Sequence, residues 1–87
     1  NGEWVGIYKS TGKIAFTGNY IEGLPEGKHI YYYPDGRKMS EGKFQSGLKV
    51  GDWKRYDENG LLVITIRYNN GVTERIDGKK LKTFDKK

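Results

Sequence analysis

A spacing of 24 residues limits this chain's folding options more than any other feature it has. Gly12, Gly36 and Gly60 are 24 apart, as are Tyr20, Phe44 and Tyr68, and Gly23, Gly47 and Gly71. Gly18 and Gly42 keep the interval with Ile66 in third place, and Gly27 and Gly51 keep it with Arg75 closing the series. Five columns in one register define a tandem array of about three and a half units in one 87-residue domain. The units run over 2–26, 27–50 and 51–74, followed by a shortened capping hairpin at 75–84 and a basic tail at 85–87.

Each unit reads as two short strands and a tight turn. TGK (11–13), PDGR (34–37), ENGL (58–61) and IDGK (76–79) place glycine where a hairpin needs positive φ. The flanks, such as HIYYY, KIAFTGNY, LLVITIRY and KLKTF, are β-branched and aromatic, and none keeps a helical period. The expected fold is all-β: an antiparallel meander in one elongated, twisted sheet. Its strands are expected near 3–8, 13–20, 27–33, 37–44, 51–56, 61–68, 72–76 and 79–84. IEGLPE (21–26) and QSGLKV (45–50) then read as matched connections between hairpins.

Hairpin pairing sorts side chains onto faces, because opposed residues share a side. A turn at Asp35–Gly36 sets Tyr33 against Lys38, Tyr31 against Ser40 and His29 against Gly42. A turn at Asn59–Gly60 sets Trp53 against Ile66 and Arg55 against Ile64. The first hairpin has one extra turn residue, which puts Trp4 against Gly18. Trp4, His29 and Trp53 therefore form one column, each ring expected over the glycine or Ile it opposes. Tyr20, Phe44, Tyr68, Tyr8, Tyr31, Phe16, Ile14, Leu62 and Ile64 share this packed face. The other face mixes Val5, Ile7, Ile30, Tyr32, Met39, Tyr56 and Val63 with Lys28, Arg37, Glu41, Lys43 and Lys54.

The stretch GNYIEGLPEGKHIYYYPDGRKMSEGKFQSGLKVGDWKRYDENG resembles G-x-Y-x-x-G-x-x-x-G-x-W-x-x-Y-x-x-x-G, the pattern of the bacterial MORN-repeat variant proteins. The likeness runs from Gly2 to about Gly71. It implies an elongated, curved hairpin array used as a scaffold or interaction surface, with no known catalysis and, for some members, an antitoxin-like label. His29 stands where that pattern has Trp, and Arg75 replaces an expected glycine, which suggests a terminal cap after Gly71.

Little catalytic chemistry is on offer. The glycines do not sit between a strand and a helix, as a phosphate loop requires, so turn and packing roles are expected of them. His29, the only histidine, falls in the aromatic column and reads as a packing residue. Asp35, Asp57, Glu58, Asp77 and Glu22 belong to turns, and the strand carboxylates form no convincing pair. With no cysteine, thiolate chemistry is excluded, and neither a cofactor nor a metal is expected. No apolar run approaches the roughly 18 residues of a membrane helix.

Binding is the expectation that remains. Tyr32, Tyr56 and Met39 beside Arg37, Lys43 and Lys54 form a candidate protein-contact patch, and exposed strands at the sheet ends offer self-association. The alternative is a peripheral binder of anionic lipid or nucleic acid. Residues 27–50 carry a net +3 and residues 75–87 a net +4, within a total of +5. A sugar stacked on the aromatics is a third, lesser option. The start at Asn1 rather than Met points to an upstream segment removed, so the cytoplasm and a bacterial envelope both stay open.

Overall fold

The computed structural model describes residues 2–78. The expected strand at 79–84 and the lysine tail lie outside them. Seven strands follow in chain order: β1 (Gly2–Ile7), β2 (Ile14–Ile21), β3 (Leu24–Tyr32), β4 (Lys38–Gln45), β5 (Leu48–Tyr56), β6 (Leu62–Asn69) and β7 (Val72–Gly78). Each pairs antiparallel with the next, giving one open sheet in the order β1 to β7. The all-β meander expected from the 24-residue period is therefore the architecture.

Two kinds of turn alternate along it. At one edge, Gly36 donates to the Tyr33 carbonyl (2.9 Å) while Tyr33 donates to that of Arg37 (2.8 Å), closing a three-residue loop. Asp57, Gly60 and Leu61 repeat the pattern, and Tyr8 to Lys13 holds a version one residue longer. Carboxylates stiffen these turns: Asp35 Oδ1 accepts from Arg37 N, and Asp57 Oδ1 from Asn59 N and Leu61 N.

At the other edge the loops have two residues. Glu22–Gly23, Ser46–Gly47 and Asn70–Gly71 have φ near 50° and then between 83° and 87°, the signature of type I′ turns. Here the sequence reading is corrected. Residues 21–26 and 45–50 are not connections, because the chain reverses within two residues and 24–26 and 48–50 are already strand. Only Asn70–Gly71 carries the familiar turn dipeptide; Glu22 and Ser46 take the left-handed conformation without being residues that favour it.

The expected pairs Trp4–Gly18, Tyr31–Ser40, His29–Gly42, Trp53–Ile66 and Arg55–Ile64 all occur. Tyr33 opposite Lys38 does not. The loop is three residues rather than two, so Tyr32 meets Lys38, and a shift beside it skips Met39 to restore the expected register.

The rings also cover other glycines than the register alone implies. His29 is opposite Gly42, yet its ring lies on Gly18 of the preceding strand, and Trp53 lies on Gly42. The cause is a bulge. Between Thr17–Ile30 and Asn19–Glu26, the lone Gly18 faces three residues of β3, starting at Gly27 with φ 77°. Between Glu41–Lys54 and Lys43–Val50, Gly42 faces three residues of β5, starting at Gly51 with φ 71°. The extra backbone swings each ring back over the previous strand. In the third unit Ile66, Arg75 and Asp77 occupy the glycine, bulge and ring positions, and β6 meets β7 with a simpler shift.

The rings make a continuous ladder. Trp4, Tyr20, His29, Phe44, Trp53 and Tyr68 meet edge-on in that order, with centroids 4.8–6.5 Å apart. Each such contact contributes about 0.5–1.5 kcal/mol beyond buried area. His29 is 1% exposed and Trp53 8%, the only hydrophobic or polar side chains so deeply covered among the described residues. Their ring N–H groups donate to equivalent carbonyls, His29 Nε2 to Asn19 and Trp53 Nε1 to Lys43, both at 3.0 Å.

Successive units are also clasped at both edges. Tyr8 donates its hydroxyl to the Tyr32 carbonyl (2.6 Å) and Tyr33 to that of Tyr56 (2.8 Å). Gly47 N donates to the Pro25 carbonyl and Gly71 N to that of Lys49.

Gly42→Val tests the corrected geometry. A Cβ there falls inside the Trp53 ring, so thermal unfolding should show a loss of about 1–3 kcal/mol, or roughly 4–8 °C in Tm per kcal/mol. An unchanged midpoint would contradict the ring placement.

Candidate functional site

Of the residues singled out as a contact patch on the mixed face, Tyr56, Lys43 and Lys54 lie around Glu41. Tyr32 on β3, Met39 on β4 and Tyr56 on β5 are half-buried near the three-residue turns, whereas Lys43 and Lys54 are exposed. Arg37 departs from the patch. Its Nη1 donates to the Glu58 carbonyl at 3.0 Å, so it clasps one turn to the next, and Lys13 reaches Asp35 O in the same way.

Glu41 organises the centre of this face. Its side chain is 15% exposed; Oε2 accepts from the Tyr56 hydroxyl at 2.7 Å, and Oε1 lies 3.2 Å from Lys38 Nζ and 3.8 Å from Lys28 Nζ. The Tyr56 hydrogen bond, with Lys38 and Lys28 adding to it, holds the Glu41 carboxyl below its ordinary range despite partial desolvation. The same bond, first, and burial, second, push the Tyr56 hydroxyl up.

Beyond Glu41 the register places Lys28 directly opposite Lys43, and Lys54 opposite Glu41. Like charges facing across a strand pair oppose folding. Lys28, Lys43 and Lys54 line a shallow cavity of about 300 Å³ together with Val50 and the carboxylates Glu41 and Asp52. Further along, Arg67 ties three strands together, 3.1 Å from Asp52 and 3.7 Å from Glu74.

Two features of the packed face escaped the sequence reading. Lys49 Nζ lies over the Trp53 and Tyr68 rings, 5.0 and 5.1 Å from their centroids. The two-residue turn at Ser46–Gly47 pairs Phe44 with Lys49 and would have revealed it. The second is a cavity of about 420 Å³ at the β1 end, lined by Trp4, Phe16, Tyr20 and Gly23. The repeat positions Gly12, Gly36 and Gly60 close the longer turns, and Gly23, Gly47 and Gly71 the shorter ones. No described helix follows Gly47 or Gly51 to complete a phosphate loop.

The fold and these surfaces define an open, single-layer array of β-hairpin repeats. No family model matches the chain, and no match was found among curated proteins or solved structures.

The Glu41–Tyr56 pair has a sign that can be checked. Glu41 is depressed in the folded state, so its contribution is present above the unfolded carboxylate value of about 4.3 and is lost as pH falls through the folded one. Tyr56 is raised, so its contribution holds below the unfolded phenol value of about 10 and is lost at higher pH. In denaturant titrations from pH 7 to 3, Glu41→Gln should flatten the acid loss of stability; an unaltered acid limb would contradict the pairing.

Proposed function

We propose that this chain is a non-catalytic protein-interaction module of the MORN-variant type, a scaffold that presents its mixed sheet face to a protein partner. The observation that carries this reading is a single layer that no other element of the described residues covers. Among the described hydrophobic residues only Trp53 is buried, while Val5, Ile7 and Val63 stand exposed on the mixed face around half-buried Ile30, Tyr32, Met39 and Tyr56. An apolar, tyrosine-rich strip with a charged rim is the composition of a contact surface. The family likeness rests on the sequence spacing and points the same way.

A second reading has its own support. Lys28 and Lys43 face each other at a cost to folding, and Lys54 joins them around one cavity, an arrangement an anionic lipid or nucleic acid would relieve.

Salt separates the two. Under the protein reading, partners captured on immobilised protein stay bound at about 1 M salt, where screening reaches about 3 Å, and are lost with Tyr32→Glu or Met39→Glu. Retention on heparin or anionic vesicles at low salt that collapses with Lys28→Ala and Lys43→Ala, without any salt-resistant partner, would replace it with the anion reading.

A further inference from the structure

A row of opposed residues runs beside the aromatic ladder on the packed face. Phe16, Tyr31, Ser40, Arg55 and Ile64 follow one another across β2 to β6. Phe16, Ser40 and Ile64 are 24 apart, so they hold one position of the repeat. In the first unit an aromatic fills that position, and the Phe16 ring lies on Gly6. In the second unit Ser40 supplies only a hydroxymethyl group. A cavity of about 280 Å³ opens there, over β3 to β6. Both β2 and β7 flank those strands, so the cavity does not owe its openness to a strand that lacks a neighbour.

The lining has two characters. Trp53, Ile64, Ile66 and Tyr68 are its apolar part, while Tyr31, Ser40 and the cations Lys49, Lys54 and Arg55 are its polar part. No described carboxylate lines it, in contrast to the lysine cavity of the other face, where Glu41 and Asp52 take part. Lys49 is engaged over the Trp53 and Tyr68 rings, and Lys54 stands opposite Glu41.

Arg55 is not engaged. Arg37, Arg67 and Arg75 each reach a carboxylate, at 3.9, 3.1 and 3.2 Å. The Arg55 guanidinium and the Ser40 and Tyr31 hydroxyls have no hydrogen-bond partner among the described residues. One unpaired guanidinium matches a monoanion, and its planar fork matches a carboxylate. The Trp53 ring lies on Gly42 with Lys49 Nζ over it, so it offers no platform for a stacked base. The volume falls just below the roughly 300–1,000 Å³ of drug-sized sites, which limits the occupant to a body about one ring in size.

We propose that this cavity binds a small organic monocarboxylate, its acid group held by Arg55, Ser40 and Tyr31 and its compact apolar body set against Ile64, Ile66 and Tyr68. The site goes beyond the protein-interaction reading and lies on the opposite face, so either can fail without the other.

Benzoate is the probe. Titrated into isotope-labelled protein at constant ionic strength, it should shift the Arg55 side-chain Nε–H and the amides of Ser40, Arg55 and Ile64 saturably, with half-saturation near about 1 mM. Benzamide has the body without the charge, and acetate the charge without the body; each should bind at least about tenfold more weakly. Because Arg55 is exposed and unpaired, Arg55→Gln should keep the parent melting midpoint while losing benzoate binding. Ser40→Phe, which places the first unit's side chain in the cavity, should lose it too. No saturable shift up to about 10 mM, equal binding of benzamide, or undiminished benzoate binding by Arg55→Gln would overturn the proposal. So would tighter binding of phenyl phosphate than of benzoate, or shifts centred on Lys28 and Lys43.

Discussion

A ring laid on a backbone glycine is the contact on which this sheet depends. A single β-layer has no second layer to pack against, so its own side chains must exclude water from the strands. His29 on Gly18 and Trp53 on Gly42 do so by using the one residue type whose missing Cβ lets an aromatic approach the backbone. That contact requires the bulges at Gly27 and Gly51, because a regular ladder would leave each ring beside its own partner. Glycine, bulge and ring form one device that the chain builds twice, and at the third set of repeat positions Ile66, Arg75 and Asp77 stand in their place.

The edges reinforce what the rings begin. Tyrosine hydroxyls and the Arg37 and Lys13 cations bind each longer turn to the carbonyls of the next. On the opposite edge the glycine N–H groups of the short turns do the same, with Leu24 and Leu48 packed against Gly47 and Gly71. These clasps are local in the repeat, so stability grows unit by unit, as in other repeat arrays. They leave the two faces unequal: one closed by the ladder, the other an apolar strip around Glu41 with lysines at its margin.

Much of this was legible in the sequence, and the failures have physical causes. The columns at Gly12, Tyr20 and Gly23 gave the period, the meander and five correct cross-strand pairs, because register follows from turn position and the two-residue alternation of strands. The short turns were missed because Glu22 and Ser46 adopt positive φ although neither is a usual turn residue there. The ring placement was missed because opposition in register does not fix which way a side chain leans; the bulge does, and Gly27 and Gly51 read equally well as loop glycines. On the candidate surface, Tyr56, Lys43 and Lys54 lie around Glu41, whereas the register shift that skips Met39 takes it out of simple alternation. Arg37 was drawn away by a turn carbonyl that no strand pattern encodes.

Native-state hydrogen exchange tests the central claim most directly. If the ring-on-glycine joints hold the array together, amides of β2 to β5, including those of Asn19, His29, Lys43 and Trp53, should open only with the largest free energy in the molecule. The amides of β6 and β7, whose joint lacks both glycine and ring, should open at distinctly lower cost. Equal or greater protection across β6 and β7 would show that backbone pairing alone carries the sheet and would contradict the account.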